Sequence, residues 1–129
     1  MNIKFINGLP IVSINLEHHQ KSLQLDNVLL DTGSAKTIFD TDIVREIGLN
    51  IDYINGKTVK MYGVGGLSEI CFQQNVDQIK IQDMPIKNFQ IQLGITNETY
   101  GFDGILGSDV LLELKLLIDY SQMKVYQNT

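Results

Sequence analysis

The run Val28-Leu29-Leu30-Asp31-Thr32-Gly33-Ser34 holds the residues best placed to do chemistry. Three apolar side chains lead directly into a carboxylate, a hydroxyl, a glycine and a second hydroxyl. An unbroken apolar run closed by a turn signal predicts a strand buried on both faces. The Thr32 and Ser34 hydroxyls can hydrogen-bond the carboxylate, and Gly33, with no side chain, lets its N–H come close. Asp31 is therefore read as a carboxylate held in a tight turn at the lip of a core, ready for acid–base work. The alternative is a plain turn.

The elements that must position Asp31 can be read from periodicity. Val12, Ile14 and Leu16 alternate with Ser13, Asn15 and Glu17, a half-buried strand. Polar Glu17-His18-His19-Gln20-Lys21 predicts a hairpin loop. Leu23 and Leu25 mark the return strand, which enters the buried run and the Asp31 turn. Thr37-Ile38-Phe39 is a short strand. Asp40 or Thr41 caps a helix of about two turns, with Ile43, Val44 and Ile47 on one side and Gly48 at its C-cap. Thr58 to Phe72 predicts a long hairpin with Gly63-Val64-Gly65-Gly66 at its tip, where three glycines free the backbone.

Ile79 and Ile81 mark the next strand, Asp83-Met84-Pro85 a turn, and Phe89, Ile91 and Leu93 another strand. Thr96 to Asp103 reads as a loop. Ile105-Leu106 is a second short apolar run ending at Gly107, and Ser108-Asp109 opens a helix through Glu113. Lys115 to Asp119 and Met123 to Tyr126 suggest a closing hairpin. Leu29-Leu30 and Ile105-Leu106 each lead through a glycine turn to a helix, a weak internal duplication. Many short strands at regular spacing predict an all-β, closed or partly closed barrel with one or two short helices.

Three segments, in order, resemble those of a known family. The Asp31-Thr32-Gly33-Ser34 turn resembles the active-site loop of the single-lobe, retropepsin-like aspartic peptidases. Tyr62-Gly63-Val64-Gly65-Gly66 resembles their glycine-rich flap. Gly104-Ile105-Leu106-Gly107-Ser108-Asp109-Val110-Leu111 resembles their second apolar-glycine strand and the helix after it. The resemblance spans roughly residues 9–126. It implies a retropepsin-like acid-protease barrel, one lobe with a flap hairpin, and aspartic endopeptidase activity.

Peptide hydrolysis of this kind needs one carboxylate to take a proton from water and another to give one to the substrate. The chain has one Asp-Thr-Gly, and after Ile105-Leu106 the position equivalent to Asp31 holds Gly107, with no aspartate in the equivalent turn. The second carboxylate must then come from another chain, so a twofold homodimer acting on a polypeptide is expected. By resemblance, Asp31 of each subunit activates the attacking water, and Thr32 hydrogen-bonds across the axis. Gly33 and Ser34 orient the carboxylates and line the substrate backbone. Tyr62, Gly63, Val64, Gly65 and Gly66 fold over the substrate, and Ile105 lines a side-chain pocket. No metal or organic cofactor is implied.

The chain also departs from the family. Retroviral members commonly carry an acidic residue two positions after the motif's glycine and an Arg after the later glycine. Ala35 and Ser108 stand there, so that ion-pair brace is absent. Ser34 resembles the cellular and bacterial members more than the viral ones. A non-catalytic peptide-binding or dimerisation module on the same fold is the alternative function.

Other reactive side chains receive plainer readings. Adjacent His18 and His19 would point to opposite faces of a strand, and in a loop would be solvated, so no metal site is expected. Cys71 has no evident His partner and reads as a small core or flap residue. Asp109 reads as a helix cap, and Asp103 and Asp119 as loop and turn residues. At 129 residues, 43% hydrophobic and 19% charged, residues 1–129 are expected to form one soluble domain. A net charge of −5 argues against nucleic acid, which needs a basic patch. The lone cysteine excludes an intrachain disulfide. Neither an apolar leader of roughly 7–15 residues nor an apolar run of about 20 is present, so a cytoplasmic protein without a membrane partner is expected. An origin as a domain excised from a longer protein is the alternative.

Overall fold

A computed structural model describes residues 1–62 and 68–127. The expected flap tip, Gly63, Val64, Gly65 and Gly66, lies outside the described residues. In chain order the elements are β1 (Lys4–Ile6), β2 (Leu9–His18), β3 (Lys21–Leu30), β4 (Ile38–Asp40), α1 (Thr41–Val44) with a 3-10 turn (Arg45–Ile47), β5 (Lys57–Tyr62) and β6 (Ser68–Ile81). There follow β7 (Met84–Gly94), α2 (Asn97–Tyr100), β8 (Gly104–Leu106), α3 (Ser108–Glu113), β9 (Leu116–Asp119) and β10 (Lys124–Gln127). The protein is mostly β, with short helices, as the sequence predicts. Among the described residues no helix is long and apolar enough to cross a membrane.

The strand order of the main sheet is β1-β2-β3-β8-β4-β7-β6-β5, and β2 also pairs with β6. That extra pairing closes β2, β3, β8, β4, β7 and β6 into a ring. Closure satisfies strand edges that would otherwise stand open. Ile14, Leu16, Val28, Phe39, Ile79, Ile91, Leu93 and Leu106 are among the side chains buried in the core. The β9–β10 hairpin stands apart as its own two-stranded sheet. It is tied to the N-terminus by the Ile3 N–H donating to the Met123 carbonyl at 2.8 Å and the Val125 N–H donating to the Met1 carbonyl at 2.7 Å.

β3 is one continuous strand, but it is not buried on both faces. Val12 pairs with Val28 while Ile14 pairs with Leu25, so β3 carries one residue more than β2 between them. Such a bulge shifts the inward phase by one position. Leu25 points inward before it, Val28 and Leu30 after it, and Leu29 is left half-buried. The change of phase lies before the apolar run, within which Val28 and Leu30 face the core and Leu29 the other side.

Three other expectations are corrected. The turn between β6 and β7 is Gln82-Asp83, with Gln82 at φ 54°; Met84 and Pro85 already belong to β7. The segment from Thr96 to Asp103 contains the short helix α2. His18 and His19 do not diverge, because His19 leaves the strand in a left-handed conformation at φ 49° and its ring stacks on that of His18. The α1 region follows the sequence: Asp40 caps it through bonds from the Asp42 and Ile43 N–H groups, and Gly48 ends the 3-10 turn at φ 75°.

Candidate active site

β8 lies between β3, to which it is parallel, and β4, to which it is antiparallel. A chain leaving β3 must cross the end of β8 to reach β4. Residues 31–37 are that crossing, and the turn that holds Asp31 is thereby raised to the rim of the barrel. The Asp31 N–H donates to the Leu106 carbonyl at 3.0 Å, extending the β3–β8 ladder by one step. Asp31 is half-buried, and Thr32 and Gly33 are exposed.

Within the turn, the Gly33 N–H donates to Asp31 Oδ1 at 2.9 Å, and the Ser34 N–H donates to the Asp31 carbonyl at 3.1 Å. The Gly33 bond is the close approach that a residue without Cβ permits. A Cβ there would lie 3.2 Å from Oδ1, tighter than ordinary contact. The Ser34 hydroxyl does not bond the carboxylate; it donates to the Lys36 carbonyl at 2.8 Å. Its part is to shape the crossing.

Beneath the crossing sits Gly107, at the start of α3. A Cβ there would meet the Lys36 carbonyl carbon and oxygen at 2.7 Å and the Ser34 carbonyl oxygen at 2.8 Å. The crossing therefore rests directly on the backbone of the β8–α3 junction. Two bonds from Ser108 fasten it: its N–H donates to the Ser34 carbonyl at 2.8 Å, and its hydroxyl to the Thr32 carbonyl at 2.9 Å. Two neutral hydrogen bonds thus stand where an ion pair is absent.

Asp109 is not the helix cap. Its carboxylate accepts from the Thr37 N–H at 3.0 Å, the Thr37 hydroxyl at 2.6 Å and the Val110 N–H at 2.8 Å. Thr37 is fully buried, and its oxygen in turn accepts from the Gly107 N–H at 2.9 Å. Asp109 and Thr37 so anchor the far end of the crossing. Asp40, also buried, does more than cap α1: its Oδ1 accepts from the Thr96 and Asn97 N–H groups, both at 2.9 Å, and holds the start of α2.

Ile105 pairs with Leu29 on one side and Ile38 on the other. Cross-strand partners share a face, and all three are half-buried. They form an apolar row across three strands just below the Asp31 turn. The β3 bulge serves the same region: the Asp103 N–H donates to the Asn27 carbonyl at 2.8 Å, and the Asn27 amide donates to the Gly101 carbonyl at 2.6 Å. At the other side, the Tyr100 hydroxyl donates to Glu69 at 2.8 Å, linking α2 to the start of β6, and this bond raises the phenol's pKa.

Of the candidate residues, Asp31, Thr32, Gly33, Ser34 and Ile105 come together at one end of the barrel. Tyr62 ends β5 opposite Ser68. Gly63, Val64, Gly65 and Gly66 lie outside the described residues. Spacing alone did not reveal Ser108, Thr37 and Asp109 as braces, since each acts on a partner some 70 residues away in sequence. Cys71 is buried, 2% exposed, as a core residue should be.

Comparisons with known proteins agree with this architecture. The profile of a family described as aspartyl protease matches residues 15–110. A retropepsin-like aspartic protease from Rickettsia conorii superposes with a TM-score of 0.64 at 15% identity, over 92% of this chain and 82% of that one. The retroviral protease-like domain of Ddi1 from Leishmania major gives 0.58 at 16% identity, over 92% and 89%. The EIAV protease, in complex with the inhibitor HBY-793, gives 0.55 at 23% identity, over 83% and 88%. At these identities the structural likeness is one of fold. No curated protein sequence matches.

Proposed function

Because the chain belongs to the aspartyl protease family, we propose that it is an aspartic endopeptidase whose site is completed by a second copy of itself. The observation that carries this reading is the Asp31 turn. One carboxylate is raised to the barrel rim, with Oδ1 bonded to the Gly33 N–H and Thr32 exposed beside it. One carboxylate per chain cannot supply both an acid and a base. A twofold axis through the turn brings two Asp31 side chains together, with Thr32 of each chain free to bond across it.

In that dimer, like charges at close range disfavour double ionisation, so the pair keeps one proton between them. A water held by both carboxylates loses a proton to the ionised one as its oxygen attacks the scissile carbonyl carbon. The protonated carboxyl gives its proton to the carbonyl oxygen. The tetrahedral intermediate then expels the amine, which takes a proton from the dyad. The row formed by Leu29, Ile38 and Ile105 supplies an apolar wall for a substrate side chain. The β5–β6 hairpin, with Tyr62 through Gly66 at its end, closes over the substrate and pairs with its backbone.

The test is dependence on assembly. Sedimentation should find a dimer under the conditions in which peptides are cleaved, and specific activity should fall on dilution as dimer dissociates. The pH–rate profile should be bell-shaped, with its maximum in the acidic range. Full specific activity from a protein that sediments as a monomer throughout would overturn the shared site.

A further inference from the structure

At the opposite end of β3 from Asp31, three metal-competent side chains converge. His19 and Gln20 form the two-residue turn between β2 and β3, with φ 49° and 67°. Turns with two left-handed residues favour Asn and Gly. Here the turn instead carries the His19 ring onto His18, with centroids 4.1 Å apart. The third side chain, Asp77, comes from β6. The β2–β6 ladder pairs Asn15 with Lys80, Leu16 with Ile79 and Glu17 with Gln78. One step further, His18 faces Asp77.

At this end the ladder passes over to side-chain bonds. The His19 N–H donates to Asp77 Oδ2 at 2.8 Å, which orients the carboxylate and leaves Oδ1 3.6 Å from His18 Nδ1. The Asp77 N–H donates to His18 Nδ1 at a long 3.4 Å. One ring nitrogen from each histidine and one Asp77 oxygen all lie within 4.8 Å of one another. The stacked rings aim their in-plane lone pairs side by side, so holding one ion requires the exposed His19 ring to swing out of the stack.

We propose that His18, His19 and Asp77 bind a divalent transition-metal ion of the zinc type. Two imidazoles and one carboxylate suit zinc, cobalt or nickel, whereas calcium and magnesium prefer all-oxygen sites. Three protein ligands leave a fourth position for water. His18 and His19 line a groove of about 600 Å³, with Asn50, Asp52 and Gln74 also on its wall, so this position is open to solvent. The ion stands roughly 30 Å along β3 from Asp31, too far to take part in peptide hydrolysis. Its effect is on the barrel. The β2–β6 seam that closes the ring rests on three residue pairs, and a metal joining the β2–β3 turn to β6 clamps its end.

The experiment uses untagged protein in metal-free buffer, titrated with Zn2+ by calorimetry and with Co2+ by visible absorption. One ion per chain is expected, with a tetrahedral Co2+ spectrum and a Tm that rises with Zn2+. His18 and His19 are the chain's two histidines, so their imidazole NMR signals should be the ones that shift. His19→Gln and Asp77→Asn, both at exposed positions, should each weaken binding by at least about ten-fold. Both should remove the Zn2+-dependent rise in Tm while leaving the metal-free Tm close to that of wild type. Absence of Zn2+ binding to wild type, or unchanged affinity in both variants, would overturn the site.

Discussion

Replacing Gly107 with alanine tests how the Asp31 turn is supported. Gly107 has φ −97° and ψ −178°, which any residue adopts, so the substitution carries no backbone strain of its own. Its cost is steric. The new Cβ would lie 2.7 Å from the Lys36 carbonyl, where ordinary contact begins at 3.4 Å, so the crossing must lift by about 0.7 Å. Overfilling a packed site in this way costs about 1–3 kcal/mol. The lifted segment also carries the Ser34 carbonyl, which accepts from Ser108, and stretches that bond. A loss of about 2–3 kcal/mol lowers Tm by about 10 °C in a chain of this size. Because Ser34 bonds back to the Asp31 carbonyl, the carboxylate moves too. A misplacement approaching 1 Å costs about 100-fold in rate, so kcat should fall between about ten- and 100-fold. Gly101→Ala is the control. Gly101 has open space around it but φ 83°, so that variant should lose about 1 kcal/mol with kcat unchanged. Thermal denaturation and peptide cleavage measure both quantities. A Gly107→Ala protein with the Tm and kcat of wild type would refute the claim that the crossing rests on this glycine.

Ser108→Ala removes the hydroxyl bond to the Thr32 carbonyl and should cost about 0.5–1.5 kcal/mol in stability, together with a larger fractional loss of cleavage; unchanged cleavage would mean the brace does not reach the site. Burial raises the pKa of Asp103, with the Asn97 amide opposing and the Asp40 carboxylate adding to the rise. The folded state then holds that proton more tightly than the unfolded chain, so stability falls as pH rises past the unfolded value of about 4. Asp103→Asn should therefore raise the urea midpoint at pH 7 and lose its advantage at about pH 3.5, and a gain that grew toward acid would contradict the sign. Burial, with help from Glu69, pushes the Cys71 thiol up to about 11, so a thiol reagent at about pH 8 should label denatured protein quickly and native protein slowly. Rapid native labelling would place Cys71 outside the core.

What the sequence reveals here is what is local. Asp31, Thr32, Gly33 and Ser34 are contiguous, and the close Gly33 N–H approach they predict is observed, whereas the Ser34 hydroxyl goes to the Lys36 carbonyl instead of the carboxylate. The alternating strands, the Asp40 cap and Gly48 are legible for the same reason. The misread positions depend on partners distant in sequence. Leu29 reads as buried because the run is apolar; only the register against β2 exposes the bulge that turns Leu29 away from the core. Pro85 reads as a turn residue, but β7 is flanked on its second edge by β4 only from Gln92 to Gly94. Among the described residues that edge has no strand partner at Pro85, and a missing N–H is tolerated there. Asp109 reads as a cap because it opens a helix, while its carboxylate is taken by Thr37, 72 residues earlier. The stacking of His18 on His19 required a left-handed residue that composition does not announce.

The most direct test of the proposed function is cleavage of a random peptide pool by wild type and by Asp31→Asn, from about pH 3 to pH 8, with and without a pepstatin-like inhibitor. Asn retains the shape of Asp, and the Gly33 N–H still has an oxygen to bond, so the variant should match the fold and Tm of wild type. In a homodimer the substitution removes both carboxylates at once. The account predicts acid-range, inhibitor-sensitive cleavage by wild type and none by the variant. Undiminished cleavage by a folded Asp31→Asn protein would contradict it.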